Sequence, residues 1–401
     1  MDQHFQALAA RYIDEFPRLS PVSATALGDH RFDHELDEVS PKARAKYATF
    51  LREFIAALVA MDPDSLSRAN QVDHAALGQR LHGQLWRLEE LREWEWNPLN
   101  YTSLVGGAIY GLMSREFAPL DQRLICVASR LEAFPRLFNQ IRKTLVPESV
   151  PKIHAETAIK QNPGVLSILE NMVTPHLETL APPSRERLTS AMAAARAAVE
   201  THQVWLEEEL LPKAAGEFRL GKAKYDTKLA HTLRTSFTRK EVRKRAESEL
   251  KRVRAEMYTI AKGVYAERHP HTKFPSRPDK AYRQAIIRAA LELAYADVPA
   301  PDAVVAAAQE SLKLTKQFIL DRDLITVPED PVEIIVMPEF QRGVALAYCD
   351  SPGPLDVGLK TYYAVAPLPE DWNAEQVRSF LREYNIRSIH DLTIHEAMPG
   401  H

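Results

Sequence analysis

The residues with the clearest potential for chemistry stand at the end of the sequence, which reads His395-Glu396-Ala397-Met398-Pro399-Gly400-His401. In a zinc-binding helix of the His-Glu-x-x-His type, two histidines four residues apart hold the metal, and the glutamate between them activates a water. Here Pro399 takes the fourth position after His395, and the next histidine follows two residues later. At about 100° per residue, a straight helix would point His401 roughly 120° away from His395. A straight helix therefore fails as a chelate.

Pro399 offers a way to bring the two histidines together. Proline has no N–H for the carbonyl four residues back, here that of His395, and its ring clashes with that carbonyl. We therefore expect the helix to widen or kink between the histidines, with Gly400 adopting the backbone angles that this requires. The alternative is a helix that ends at Met398, with Pro-Gly as a stop signal and two unrelated histidines.

The elements before this cluster indicate that it lies on a helix. Asn385 ends a helix that begins near Asn373, and Ser388-Ile389-His390-Asp391 is typical of a capping box that opens the next helix. His395 and Glu396 would then lie two turns into that helix. Asp391 is four residues before His395, so it could instead accept a hydrogen bond from the histidine ring and orient it. The sequence leaves both roles of Asp391 open.

Three short runs of strand character precede these helices, at residues 333–337, 344–349 and 359–365, and Ser351-Pro352-Gly353-Pro354 forms a turn between the last two. An exposed strand beside a metal site can hold an extended peptide by main-chain hydrogen bonds. Three tyrosines on these runs are therefore candidates for lining a substrate cleft: Tyr348, Tyr362 and Tyr363.

The first 325 residues have the pattern of helices separated by prolines. The longest candidate helix begins at Thr238, which forms a capping box with Glu241, and its apolar face includes Leu250, Met257 and Ile260. We predict a mainly α fold, with a large helical body over residues 1–325. Residues 326–401 would add a small β-sheet and the metal-site helix to the same catalytic domain.

Composition excludes several classes of function. The 401 residues include 51 basic and 54 acidic ones, for a net charge of −3, which gives no overall field to attract nucleic acid or an anionic membrane. Cys126 and Cys349 are too few for a disulfide framework. The start of the chain lacks the pattern of a signal peptide, and no apolar run approaches about 18 residues. We expect a cytoplasmic protein that contacts neither nucleic acid nor membrane, of unknown oligomeric state.

The terminal cluster resembles the signature of a bacterial family named domain of unknown function 885, which is regarded as zincin-like and as containing metallopeptidases. Residues 23–30 with Asp33 resemble the opening region of this family, residues 97–101 resemble a second region, and residues 347–356 resemble the stretch that leads to the site. The resemblance therefore runs the length of the chain. It implies a further metal ligand, a glutamate on a later helix, beyond His401, so the site would be incomplete within these 401 residues.

The residues and the resemblance together predict zinc-dependent hydrolysis of peptide bonds, of oligopeptidase or carboxypeptidase type. His395 and His401 would bind one zinc ion per chain, and Glu396 would be the general base. Zinc is favoured over manganese or cobalt because imidazole and carboxylate ligands suit it. Two alternatives remain: a metal-dependent amidase or esterase acting on non-peptide substrates, and a helical interaction protein whose cluster binds no metal.

Overall fold

A computed structural model describes residues 1–327, 331–338, 342, 345–369 and 371–401. The chain divides into two compact units. The first contains residues 1–235 together with 338–342 and 352–359, and the second contains residues 236–337, 343–351 and 360–401. This division assigns residues 236–325 to the same unit as the sheet, whereas the sequence placed the boundary near residue 325.

The first unit is built from helices. They are α1 Asp2–Glu15, α2 Pro21–Leu27, α3 Pro41–Val59, α4 Arg68–Trp86, α5 Glu93–Trp96, α6 Leu99–Met113, α7 Leu120–Glu132, α8 Phe134–Thr144, α9 Lys152–Gln161, α10 Gly164–Ile168, α11 Pro182–Trp205 and α12 Gly221–Leu233. The mainly α prediction is confirmed.

Two apolar cores hold this unit together. The smaller one joins α1, α3 and α4, where Tyr12, Phe50 and Phe54 pack ring against ring and Leu81 is fully buried. The larger one runs from α6 through α11, with Leu131 of α7 and Leu188 of α11 among its fully buried members. Apolar residues at helical spacing supply both cores, as the sequence pattern indicated.

A buried charge lies between the helices of the first unit. Arg130 of α7 is 0% exposed, and its guanidinium donates to the Glu35 carbonyl (3.0 Å), to the Ala108 carbonyl (2.8 Å) and to the Thr25 hydroxyl (2.6 Å). It also lies 3.8 Å from the Asp33 carboxylate. These partners satisfy the buried guanidinium, which would otherwise be costly to take out of water.

His30 joins this network to a distant part of the chain. Its Nδ1 lies 2.9 Å from the Asp33 carboxylate and its Nε2 lies 3.1 Å from that of Asp356, while its ring stacks on Phe117 at 3.6 Å. Gly28 has a φ of 85°, and a Cβ there would lie 2.5 Å from the Asp356 backbone nitrogen. Two segments that carry the family resemblance, residues 23–33 and residues 352–356, therefore meet within the first unit.

The second unit begins with three helices, α13 Arg239–Arg268, α14 Lys280–Tyr295 and α15 Val304–Arg322. The predicted capping box at the start of α13 is confirmed, since the Thr238 hydroxyl accepts from the Glu241 N–H and the Glu241 carboxylate accepts from the Thr238 N–H. The predicted apolar face of α13 is not fully buried, because Leu250 and Ile260 are 57% and 62% exposed. The 16-residue α14 is about half as long as the 30-residue α13.

The predicted small sheet is present in the second unit. Its strands are β1 Val332–Val336, β2 Ala347–Asp350 and β3 Thr361–Val365, in the spatial order β1-β3-β2. β3 pairs in parallel with β1 and antiparallel with β2. The start of the second predicted strand, at residue 344, lies outside the described residues. The central strand β3 is buried at Tyr363, Ala364 and Val365.

Two short helices follow the sheet, α16 Ala374–Glu383 and α17 Ile386–Glu396. The predicted capping box at Ser388 is wrong, because the cap of α17 lies three residues earlier. Its cap is Asn385, whose side-chain oxygen accepts from the N–H groups of Arg387 and Ser388. The amide nitrogen of Asn385 donates back to the carbonyl of Arg382 near the end of α16 (2.9 Å). One buried amide therefore ends one helix and begins the next.

Candidate metal centre

The chain turns back on itself directly after α17. The helix ends at Glu396, Ala397 and Met398 both donate to the Thr393 carbonyl, and the Met398-Pro399 peptide bond is cis. The Gly400 N–H then donates to the Ile394 carbonyl and the His401 N–H to the His395 carbonyl, each at 2.9 Å. The turn between the histidines therefore widens and brings their rings together, as the first interpretation expected, although α17 ends at Glu396 and does not continue through a kink. The alternative, a helix that ends at Met398 and leaves two unrelated histidines, is wrong.

This turn brings the predicted ligands together. The rings of His395 and His401 lie 5.1 Å apart and nearly perpendicular, at 83°. One ligand atom from each of His395, Glu396 and His401 can be chosen so that all three lie within 4.8 Å of one another. Both histidines are exposed and Glu396 is half-buried, so the cluster opens to solvent while its carboxylate is partly sheltered.

The carboxylate of Glu396 is tied to the sheet. Its Oε2 accepts a hydrogen bond from the Cys349 N–H of β2 at 3.2 Å. The Ala366 N–H donates to the Leu346 carbonyl, and hydrogen-bonded pairs alternate along an antiparallel ladder. The register pairs Cys349 with Tyr363, three positions further on, so this pair is not hydrogen-bonded and the Cys349 N–H points away from β3. In the described sheet β2 is an end strand, and its outer edge therefore meets the candidate base.

The remaining predicted site residues have mixed outcomes. Asp391 is exposed, its side chain makes no hydrogen bond to His395 or to another described residue, and it is not part of the helix cap. Tyr348 and Tyr362 are half-buried on the sheet. Tyr363 is 0% exposed, so the prediction that it lines a cleft is wrong. Neighbouring strand residues point to opposite faces, and the sequence does not show which face is covered.

Sequence reasoning missed one contributor to the site, the Cys349 main chain, because every residue has a backbone N–H and its use carries no sequence signal. Tyr384 directly follows α16, is 2% exposed, and packs in the same apolar cluster as Tyr363. Burial raises the pKa of Tyr384, and the nearby Tyr363 phenol and Glu396 carboxylate raise it further. Burial is also the main cause that raises the pKa of Tyr363, and Glu396 adds to it.

Comparison with known families identifies the chain. The model of a family described as "Bacterial protein of unknown function (DUF885)" matches residues 21–401. The chain belongs to this family. A comparison with functionally curated proteins finds no match.

Solved structures share the fold of this family member. One is described as that of a candidate lipoprotein of unknown function from Shewanella oneidensis, with a TM-score of 0.74 and 26% identity over 99% of this chain and 70% of the other. Another, a candidate lipoprotein from Colwellia psychrerythraea, has a TM-score of 0.68 and 15% identity over 99% and 72% of the two chains. No helix in the described part of the chain is long and apolar enough to cross a membrane.

The donor set of the cluster fits a zinc ion. Two imidazoles and a carboxylate are among the groups that zinc accepts, and catalytic zinc sites combine three protein ligands with one open position. The exposure of both histidines leaves room for such a position. A site with His395 and His401 as ligands and Glu396 as base would need one further ligand, as the family resemblance implies.

Proposed function

We propose that this protein hydrolyses peptide bonds with the help of a zinc ion. The observation that carries the proposal is the turn after α17, which gathers His395, Glu396 and His401 within 4.8 Å at an end strand of the sheet. An interaction protein would have no need for two histidines and a carboxylate held together by two dedicated main-chain hydrogen bonds. The geometry supports metal-assisted hydrolysis over that alternative.

In this proposal His395 and His401 hold the zinc ion through their imidazole nitrogens. When bound, zinc supplies Lewis acidity, which lowers the pKa of water to about 7 and polarises a carbonyl group. Glu396 takes the proton from the attacking water and passes it to the leaving amine. The Cys349 N–H fixes Oε2 of this carboxylate, so that Glu396 keeps one orientation beside the ligands.

The position of β2 supports a peptide as substrate. An extended peptide can bind to the end strand of a sheet through main-chain hydrogen bonds. Ala347 is 4% exposed and closes one end of this edge, whereas Cys349 is half-buried and Ser351 is exposed. Glu396 already takes the outward N–H of Cys349, so a bound main chain would pair with the outward Cys349 carbonyl, which lies beside the base.

The test uses the intact protein, purified without added metal, and a panel of peptides with matched esters. We expect about one zinc per chain. Glu396→Gln should keep the zinc and lose roughly 10²-fold or more of peptide hydrolysis, because it removes the base and keeps the shape. His395→Ala should lose both zinc and activity.

Three results would overturn the proposal. If the intact protein contains no metal and added zinc gives no activity, the proposal of zinc-assisted hydrolysis is wrong. Hydrolysis of the esters alone would favour the amidase or esterase alternative. If Glu396→Gln lowers peptide hydrolysis by only a few-fold, another group takes the proton from the attacking water. The cytoplasmic location stays a prediction, which fractionation of cells that produce the intact protein would test.

A further inference from the structure

A cavity of about 460 Å³ lies within the first unit. Its walls come from the turn after α1, from α2, from the segment that precedes α3, and from α3 and α4. Small-molecule sites in proteins occupy about 300–1,000 Å³, so this cavity is large enough for a compact ligand. All its lining residues belong to the first unit, whereas the candidate metal ligands belong to the second.

A carboxylate without an ion-pair partner forms part of the cavity wall. The side chain of Asp37 accepts a hydrogen bond from the Ser20 hydroxyl and another from the Val22 N–H, each at 2.9 Å. No residue that the structure describes forms an ion pair with it, and burial raises the pKa of this carboxyl more than those bonds and the charge of Arg130 lower it. Both oxygens keep a lone pair for a further donor. A cationic group in the cavity would therefore stabilise the charged form of Asp37.

An arginine without an ion-pair partner lines the same cavity. The Nε of Arg80 donates to the Tyr12 hydroxyl at 3.2 Å, and its guanidinium lies 5.9 Å from the centre of the Phe16 ring. Within the described part of the chain, its other N–H groups have no hydrogen-bond acceptor, and it pairs with no carboxylate, that of Asp37 included. Guanidinium groups bind carboxylates through two parallel hydrogen bonds, so Arg80 can hold an anionic group of a ligand.

These two charges restrict what the cavity can bind. A phosphate or a simple carboxylate would pair with Arg80 but would bring a second negative charge into a cavity that Asp37 already lines. A simple amine would pair with Asp37 but would meet the positive charge of Arg80. A ligand with one positive and one negative end satisfies both. The apolar part of the wall, which would contact an apolar group of that ligand, includes Phe16, Leu19 and Leu27.

We propose that this cavity binds a zwitterionic amino acid or dipeptide with an apolar side chain. The carboxylate of the ligand pairs with Arg80, its ammonium group donates to Asp37, and its side chain lies against Phe16 and Leu19. Leucine and leucyl-leucine carry the same charged ends at different separations, so they test the two lengths. This binding does not depend on the proposed zinc chemistry.

The ligand is tested by isothermal titration calorimetry of the intact protein with L-leucine and with L-leucyl-L-leucine. At least one of them should bind saturably. For that ligand, the C-terminal amide, which lacks the carboxylate, and the N-acetyl derivative, which lacks the ammonium group, should each bind about tenfold or more weakly. The N-acetyl derivative tests the contact with Asp37 without changing this residue, whose hydrogen bonds also hold the start of α2.

Arg80→Met tests the other contact, with Arg68→Met as its matched control. Both arginines are exposed residues of α4, and Arg68 lies outside the cavity. Arg80→Met should weaken binding by about tenfold or more, because it removes the cation that pairs with the ligand carboxylate. Arg68→Met should bind the ligand as the wild type does. Both variants should keep the rate of peptide hydrolysis, since neither residue belongs to the candidate metal centre.

The proposal fails if neither L-leucine nor L-leucyl-L-leucine binds saturably. It also fails if either capped derivative binds as tightly as the uncapped ligand. Binding that Arg80→Met leaves unchanged would place the ligand at another site, such as the candidate metal centre, and would overturn the proposal as well. The result for Glu396→Gln is independent of these outcomes, so the proposed function and the ligand site can fail separately.

Discussion

A methyl group on Gly400 would collide with the backbone of α17. An ideal Cβ at this position lies 1.8 Å from the carbonyl oxygen of His395, 2.4 Å from its carbonyl carbon and 2.6 Å from the carbonyl oxygen of Ile394. All three are main-chain atoms, so no side-chain rotation can relieve the overlap. Gly400→Ala should therefore push the terminal turn away from α17.

The size of the effect follows from the hydrogen bonds that close this turn. Moving the turn breaks the bonds from Gly400 N–H to the Ile394 carbonyl and from His401 N–H to the His395 carbonyl. At about 1 kcal/mol for each bond, the loss is about 2 kcal/mol. If zinc binding requires the closed turn, zinc affinity should fall by about 30-fold or more, since about 1.4 kcal/mol corresponds to tenfold.

The assay is a competition titration of the intact protein with a zinc-binding dye at fixed pH, together with thermal unfolding. Gly263→Ala is the matched control, because Gly263 lies inside α13 and a Cβ there meets nothing within 4 Å. Alanine is favoured over glycine in a helix, so this control should be as stable as the wild type or more stable. Zinc affinity in Gly400→Ala equal to that of the wild type would refute the role given to the turn.

Two further predictions concern the first unit. Burial lowers the pKa of His30, but hydrogen bonds to Asp33 and Asp356 outweigh burial and raise it. The stabilisation by protonated His30 is therefore complete below the ordinary pKa of about 6.5 and is lost as pH rises through the higher pKa of the folded protein. The wild type should have a larger free energy of unfolding in urea than His30→Gln at low pH, and this difference should shrink over that pH range. A difference that does not change with pH would contradict the role of His30. Arg130→Met should cost about 3 kcal/mol or more, because it leaves buried polar groups without their partner. Arg136→Met, which removes only an ion pair with Glu38 at the surface, should cost about 1 kcal/mol or less in the same assay. Equal losses would show that burial does not set the cost.

Local sequence patterns predicted the elements around the site. The three strand runs, the helix that begins after Asn373 and the capping box at Thr238 all depend on neighbours within a few residues. The two histidines and Glu396 were also identified by type and spacing, and the structure brings them together. Such features are set by side-chain preference and periodicity, which a single sequence contains.

Contacts between distant residues were not predicted. His30 and Asp356 are 326 residues apart, and no local pattern links them. The burial of Tyr363 depends on which face of β3 the helices cover. Both Asn385 and Ser388 are good caps ahead of the same apolar run, so the sequence did not decide between them. The turn at Gly400 depends on carbonyls of α17 that become available only once that helix has formed.

The double use of Asn385 limits which residues natural variation can place there. Serine, aspartate and asparagine are about equally good as helix caps in general. At this position the amide oxygen caps α17, and the amide nitrogen, 2% exposed with the rest of the residue, donates to the end of α16. Aspartate has the same shape but no donor, and it would turn a negative charge toward the carbonyl of Arg382. A single-base change in the codon, from asparagine to aspartate, would therefore disturb the angle between α16 and α17 and displace His395, ten residues later in the chain. This position should vary far less among relatives than an ordinary cap.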